Sequence, residues 1–309
     1  MMRTNPWMDV VRTAAALAAA MGIGRFAYTP ILPLMTAHAG LSPQGAGQVA
    51  TANYVGYLVG AVAGACSPRL SRSVTAYRAS LAVLSATLLA MPMTTNVVGW
   101  MTIRLIAGIS SALVFIIAIN TLLDVLHHRP QLPGWAFGGV GLGIALSAVV
   151  VLALPRDAGW QAAWWWAAAA AAPLSVLAWP IRSTPPPEAP KSAGGRRDNR
   201  YPFALLFAGY TLEGVGYIIA GTFLVAALAQ HSPGRLGSGA WLVAGAAAIP
   251  SAALWSRLSS RYRNPSLLTA ALLLQAAGIT LACTGISAAA LVGAVLFGAT
   301  FIGVSILAL

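Results

Sequence analysis

Ten long apolar runs dominate the sequence, and each is long enough to cross a lipid bilayer as a helix. They cover about 11–36, 46–66, 74–92, 98–123, 133–154, 160–181, 202–229, 238–256, 266–284 and 287–309. A membrane helix needs roughly 20 mostly apolar residues, whereas barrel strands alternate polar and apolar residues over about ten. The chain is 58% hydrophobic and 8% charged, against about 25% charged in soluble domains. The sequence therefore predicts an all-α, multi-pass protein of the lipid bilayer.

The basic residues predict how the chain is oriented. With the N-terminus in the cytoplasm, fourteen Lys and Arg residues fall in inner segments, and two, Arg156 and Arg235, fall in outer ones. Such an excess is typical of cytoplasmic loops. It also accounts for the net charge of +12, so a nucleic-acid partner is not needed to explain that charge. The first apolar run continues past Arg25 to Met35, which indicates an uncleaved span and not a signal peptide.

A polar segment divides the spans into two groups. Residues 183–200 (STPPPEAPKSAGGRRDNR) are rich in Pro, Gly and charge, a composition typical of a flexible linker. We predict an N-terminal six-helix bundle over 1–182, a cytoplasmic linker over 183–200 and a four-helix bundle over 201–309.

A faint internal repeat connects the two groups. GIGRFAYTPILP at 22–33 aligns with GVGYIIAGTFLV at 214–225, an offset of 192 that also relates Gly47 to Gly239. Duplicated bundles are a signature of secondary transporters. If the second unit matches the first, two spans are missing, and we expect the second bundle to be incomplete through truncation.

Three charged residues lie deep inside predicted spans, away from their ends: Arg25, Arg104 and Glu213. A charge at the bilayer centre costs at least about 2.5–3.5 kcal/mol, so such residues usually face a bundle interior or a water-filled path. Arg25 and Glu213 enter from the same side and lie at similar depth, so they can pair if spans one and seven are neighbours.

Around these charges we predict a substrate and proton-coupling site. Its residues are Arg25, Glu213, Arg104, Tyr28, Tyr210, Tyr217 and Asn53. Tyr28 shares the helical face of Arg25, and Tyr210 and Tyr217 share that of Glu213. A static ion pair of Arg25 with Glu213 is the alternative, and a structural role is open for Arg104. Further candidates are Tyr54, Tyr57, Asn120 and Gln275, although single amides in membrane helices often bridge helices.

Enzyme chemistry finds no support in the sequence. It contains no phosphate-binding loop, nucleophile elbow or metal-ligand spacing. The two cysteines, Cys66 and Cys283, fit packing positions, and His127 and His128 fit a solvated loop end. We expect a protein that is not an enzyme and that holds no metal and no cofactor.

Several strings in the sequence are similar to one transporter family. GIGRFAYTPILPLM, ANYVGYLVGA (52–61), IRLIAGISSALVF (103–115), GWAFGGVGLGIALS (134–147) and YTLEGVGYIIAGTFL (210–224) resemble the bacterial YbfB/YjiJ-type branch of the major facilitator superfamily. The resemblance implies the major facilitator fold: two six-helix bundles, alternating access, and a cavity lined by spans one, four, seven and ten. Only about ten of the twelve helices are present.

The superfamily's motifs are partly kept. Arg104 and Gly108 match the Arg-x-x-x-Gly core of its span-four motif, which is tied to proton transfer. Span five resembles the Gly-rich motif but lacks the Gly-Pro pair. The loop GACSPRLSRS has Arg69 and Arg72 but no acidic residue, which puts the usual cytoplasmic latch in doubt.

We therefore expect a secondary active transporter of a small organic solute in the bacterial inner membrane. It is predicted to be monomeric and proton-coupled, and the resemblance favours export over uptake. The two arginines favour an anionic solute. The alternatives are a non-transporting sensor or scaffold with static salt bridges, and an inactive truncated transporter.

Overall fold

The computed structural model describes residues 5–129, 132–155, 158–181, 200–231, 236–282 and 284–307. The predicted linker lies outside the described residues except for Arg200, as does Cys283. Between 200 and 231 the side chains of 208, 209 and 211–228 are described, so that of Tyr210 is not. Every regular element in the described ranges is helical.

Eleven α-helices make up the described part of the fold. They are α1 (Pro6–Leu17), α2 (Tyr28–His38), α3 (Pro43–Cys66), α4 (Val74–Ala90), α5 (Val97–Val125), α6 (Pro133–Ala153), α7 (Trp160–Ala178), α8 (Arg200–His231), α9 (Leu236–Ser259), α10 (Asn264–Ala282) and α11 (Ser287–Leu307). Together α1 and α2 form the first predicted span, and α3 to α11 match the second to the tenth. The predicted all-α membrane fold is confirmed.

Nine helices of the described part are long and apolar enough to cross a bilayer. The sixth predicted span, α7, is not among them. Its sequence WQAAWWWAAAAAAPLSVLA contains four tryptophans and Gln161, which lower its mean hydropathy. Tryptophan is nevertheless common at membrane interfaces, so α7 remains compatible with a membrane helix.

Local sequence signals set where several helices begin. Asn5, Ser42, Ser73 and Asn96 precede α1, α3, α4 and α5, and each side chain accepts a hydrogen bond from a backbone N–H in the first turn. The first N–H groups of a helix have no partner within it, so such caps stabilise the start. Proline follows the cap at Pro6 and Pro43, where its missing N–H does no harm.

The first span is irregular in its middle. Between α1 and α2 lie a π-helical segment, Ala18–Ile23, and a turn over 24–27. The Thr29 N–H donates to Phe26 O at 3.1 Å and not to the carbonyl four residues back, and Pro30 has no N–H to donate. The irregularity begins before Pro30 and Pro33, the residues of this span that disfavour regular helical bonding. Arg25 lies within this irregular stretch.

The helices form two groups that meet along two contacts. In the first group α3 and α4 pack on α5, and α1 packs on α7; in the second, α9 and α10 pack on α11. The groups are joined by α6 against α9 and by α2 against α8. One buried cluster spans the boundary, with Leu17, Met21 and Phe26 from the first group and Trp241 and Phe297 from the second.

The glycines of α6 lie on two faces that contact different neighbours. A Cβ on Gly138 or Gly141 would lie 2.5–2.7 Å from backbone atoms of α9. A Cβ on Gly139 would instead meet the backbone of α1, and one on Gly143 that of the π-helical segment. The absence of side chains thus allows α6 to approach both groups closely. In contrast, Gly56, Gly60 and Gly64 of α3 face α5 within the first group.

The α6–α9 seam can be tested with a glycine pair. A methyl on Gly245 of α9 would lie 2.5 Å from Ala145 N and 2.9 Å from Gly141 O, whereas one on Gly47 of α3 would meet nothing within 4 Å. We expect Gly245→Ala to destabilise the protein by about 1–3 kcal/mol through overpacking. Gly47→Ala, the matched control, is expected to be neutral or slightly stabilising, since alanine favours helices. Thermal unfolding of the purified variants measures both, and equal melting temperatures would contradict the close seam.

Candidate functional site

Arg25 lies between the two groups, with its charge surrounded by aromatic rings. The residue is only 5% exposed. Its Cζ lies 4.3 Å from the ring centre of Tyr57, 4.8 Å from that of Tyr54 and 5.2 Å from that of Phe26. A desolvated cation over an aromatic face is stabilised by about 2 kcal/mol. The three faces therefore offset part of the cost of placing this charge in the membrane.

The hydrogen bonding of Arg25 is incomplete. Its Nη2 donates to the hydroxyl of Tyr217 at 3.4 Å, a long hydrogen bond. Its Nε is buried and has no hydrogen-bond partner. No carboxylate of the described residues forms an ion pair with it. Arg25 therefore presents a permanent positive charge with a free donor at the boundary of the two groups.

Arg104 holds the irregular stretch that carries Arg25. From α5, its Nη1 donates to Gly24 O and its Nη2 to Arg25 O, both at 2.7 Å. These carbonyls lie in the turn between α1 and α2, where regular helical bonding is interrupted. The side chain is 2% exposed. The structure places Arg104 next to Arg25, and its geometry is that of a brace for the backbone.

Tyr28 and Asn53 extend this brace. The Tyr28 ring lies under Arg104, 5.5 Å from its Cζ, and its hydroxyl donates to Ala46 O at 3.0 Å. The Asn53 Nδ2 donates to Arg104 O at 2.8 Å. Both predicted site residues are buried and point within the first group, where they fix the position of Arg104.

Glu213 lies on α8 and contacts its own group. Its Oε1 accepts a hydrogen bond from Gln275 Nε2 of α10 at 3.2 Å. The possible ion pair with Arg25 is not formed in the described part of the structure, although α2 and α8 are neighbours as that pairing requires. Glu213 is four residues from Tyr217, about 6 Å along the helix. Gln275 bridges two helices, as expected for a single amide in a membrane helix.

Hydrogen bonds across the boundary follow the internal repeat. Arg25 bonds to Tyr217, and the Thr29 hydroxyl donates to Gly221 O at 2.6 Å; both pairs are 192 residues apart, the offset of the sequence repeat. Equivalent positions of two repeats meet where they face each other across a pseudo-two-fold axis. A further bond joins the hydroxyls of Tyr54 and Thr222 at 2.6 Å. This geometry supports the repeat and brings the first and seventh spans together.

Aromatic residues missed by the sequence reasoning complete the site. Phe26 lies edge-to-face with Trp241 at 6.2 Å between ring centres and with Phe301 at 5.5 Å. Phe301 in turn lies 5.2 Å from Tyr217. We call Phe26, Tyr217, Trp241 and Phe301 the aromatic cluster. Only Tyr217 was predicted, because apolar rings in membrane helices give no signal that separates a site from ordinary packing.

A basic residue of the loop between α3 and α4 pairs with an acidic residue of α5. Arg72 forms an ion pair with Asp124 near the end of α5, and Asn120 Nδ2 donates to Ser71 O at 3.4 Å. The loop itself has no acidic residue, as noted from the sequence. These contacts hold the loop to α5 within the first group.

Two solved structures of membrane transporters are similar in fold to this chain. The nucleoside transporter NupG (D323A mutant) matches with a TM-score of 0.62 and 13% identity, covering 96% of this chain and 81% of that one. A D-xylose-proton symporter matches with a TM-score of 0.56 and 16% identity, covering 97% and 80%. The fold is that of the major facilitator superfamily.

Residues 17–309 of the sequence match a family model that is described as the uncharacterised MFS-type transporter YbfB. The chain therefore belongs to this family, and the resemblance seen in the sequence is confirmed. A search of curated proteins finds no match. The protein is a multi-pass membrane protein of a transporter family.

The brace made by Arg104 leads to a stability prediction. Arg104→Gln removes two charge-assisted hydrogen bonds, each worth about 1.5–3 kcal/mol, so we expect a loss of roughly 3–5 kcal/mol. Arg78→Gln is the control, because Arg78 is partly exposed and makes one long bond, to Trp179 O at 3.4 Å. Thermal unfolding of both variants tests this. If Arg104→Gln melts with the wild type, Arg104 is not the brace.

Proposed function

We propose that this protein is a secondary active transporter that moves a small organic anion across the bacterial inner membrane by alternating access. The observation that carries the proposal is Arg25, a buried cation between two helix groups that has no carboxylate partner among the described residues. A guanidinium stays charged at any relevant pH. A solute carboxylate at this position would supply the missing counter-charge in a low-dielectric site, where such a pairing is strong.

The contacts between the groups support alternating access. Among the described residues, three hydrogen bonds near Arg25 connect the two groups: from Arg25 to Tyr217, from Thr29 to Gly221 O, and between Tyr54 and Thr222. With the N-terminus in the cytoplasm, as proposed from the basic residues, Thr29 and Gly221 lie on the outer side of Arg25. Breaking these few bonds would open the outer side, while the glycine seam of α6 and α9 keeps the groups together.

Proton coupling is assigned to Glu213. It is the one acidic residue within a predicted span, it is half-buried, and its bond to Gln275 is made by a neutral amide. Protonation of this carboxylate therefore removes no ion pair and changes the charge next to the α8 turn that carries Tyr217. One structural neighbour is named as a proton symporter, which supports proton coupling on this fold. Export over uptake rests on the family resemblance alone.

The coupling assignment predicts a separation of two activities. In proteoliposomes with an imposed pH gradient, a panel of labelled organic acids is screened for flux. Glu213→Gln is expected to lose pH-driven accumulation of any acid that the wild type moves, because it has no proton to exchange. It should keep counterflow exchange of that acid, which needs no net proton movement.

Glu188→Gln serves as the matched control, since Glu188 lies in the predicted linker. It should retain both activities. Undiminished pH-driven accumulation by Glu213→Gln would contradict the role of Glu213 in coupling. Absence of flux for every acid tested with the wild type would count against transport of organic anions.

A further inference from the structure

The aromatic cluster places several rings next to Arg25, although binding an anion alone requires only the charge. Two of its rings, Tyr217 and Trp241, come from α8 and α9, Phe301 comes from α11, and Phe26 comes from the first group. Trp241 is 0% exposed and Phe26 is 2% exposed. Four rings from four elements thus converge beside one guanidinium, in contacts of edge-to-face geometry that aromatic pairs favour.

Two buried donors flank Phe26 without partners of their own. The Arg25 Nε and the Trp241 Nε1 are both buried, and neither has a hydrogen-bond partner among the described residues. The Arg25 Cζ lies 5.2 Å and the Trp241 ring centre 6.2 Å from the ring centre of Phe26. A buried donor without a partner is costly, so a ligand that brings acceptors to both would bind where the protein alone is unsatisfied.

We propose that the transported solute is an aromatic carboxylate with a second hydrogen-bond acceptor on its ring. This rests on the proposed function and names the substrate class of the same site. The carboxylate takes the place of the Tyr217 hydroxyl on Arg25, since a charged acceptor binds a guanidinium more strongly than a neutral one. The ring of the solute packs against Phe26 and Phe301, and its second acceptor receives the Trp241 N–H.

Other ligand classes fit these contacts less well. A cationic solute would be repelled by Arg25, and a neutral one would leave its charge without a counter-ion. An aliphatic carboxylate would satisfy Arg25 but would forgo the edge-to-face contacts of the aromatic cluster. Because Arg25 and Trp241 are closed to solvent in this structure, the solute reaches them only when the two groups part.

Calorimetric titration of the purified protein, without any pH gradient, tests the class directly. The probes are benzoate, cyclohexanecarboxylate, benzamide and the three hydroxybenzoates. Benzoate is expected to bind about threefold to tenfold more tightly than cyclohexanecarboxylate, the range expected for an added aromatic pair. Benzamide, which has the ring without the charge, should give no measurable binding. Equal affinity for benzoate and cyclohexanecarboxylate, or equal affinity for benzoate and benzamide, overturns the proposal.

The second acceptor is tested with a matched tryptophan pair. At least one hydroxybenzoate should bind more tightly than benzoate, by about fivefold for one added hydrogen bond. Trp241→Phe keeps an aromatic ring but has no N–H, so it should reduce the ratio of hydroxybenzoate to benzoate affinity to about one. Trp164→Phe is the control, because Trp164 is also 0% exposed with an unpartnered Nε1 but packs in the first group. Loss of the preference in both variants, or in neither, overturns the role of Trp241.

Arg25→Lys keeps the charge but loses the planar fork, and it should weaken benzoate binding while leaving the benzoate-to-cyclohexanecarboxylate ratio intact. If this variant does not fold, the probe series and the tryptophan pair still decide. The two levels of proposal fail differently. Tight binding of aliphatic acids together with pH-driven flux would contradict the aromatic substrate class but not the transporter function. Binding of benzoate without flux of any acid would contradict transport but not the substrate class.

Discussion

The structure depends on how the charge of Arg25 is held inside a membrane protein. A guanidinium cannot lose its proton at any relevant pH, so burial must be offset by contacts. Here three aromatic faces surround the charge, and among the described residues its side chain makes one hydrogen bond, which crosses to the second helix group. The irregular turn that carries Arg25 is in turn held by the side chain of Arg104. Arg104 thus fixes the position of the backbone that carries Arg25.

This arrangement divides the contacts between the helix groups into two kinds. Along α6 and α9, glycines allow the two helix backbones to come into close contact. Around α2 and the turn before it, Thr29 and Arg25 instead form hydrogen bonds to α8, and the aromatic cluster lies beside them. Small residues allow helix backbones to approach closely, whereas directional hydrogen bonds are either made or broken. Under the proposed function, the first contact would act as a pivot and the second as a gate.

Much of this fold could be predicted from the sequence, and the reasons are physical. The bilayer imposes long apolar runs, so the bounds of the helices came within a few residues of the predicted spans. A buried charge is rare and costly, which is why Arg25, Arg104 and Glu213 could be singled out. The repeat offset of 192 reappears as the separation of two hydrogen-bonded pairs, because equivalent positions face each other across the axis.

The partners of those residues could not be predicted. Helical periodicity tells which residues share a face, but not which neighbour that face meets. Arg25 and Arg104 are both arginines within apolar spans. Arg104 donates to backbone carbonyls, whereas Arg25 faces aromatic rings, and the turn before Pro30 sets this difference. Phe26, Trp241 and Phe301 come from three distant elements, and an apolar ring in an apolar helix gives no local sign of its neighbours.

The separation of Arg25 from Glu213 has a consequence for coupling under the proposed function. Had the two paired, each would neutralise the other, and neither solute nor proton would find a free partner. Instead Glu213 bonds to a neutral amide and Arg25 to a neutral hydroxyl. Tyr217 lies one helical turn from Glu213 and touches Arg25, so a shift of α8 that follows protonation acts directly on the hydrogen bond that a solute carboxylate must replace. Proton and solute are then linked through a single residue, without sharing a site.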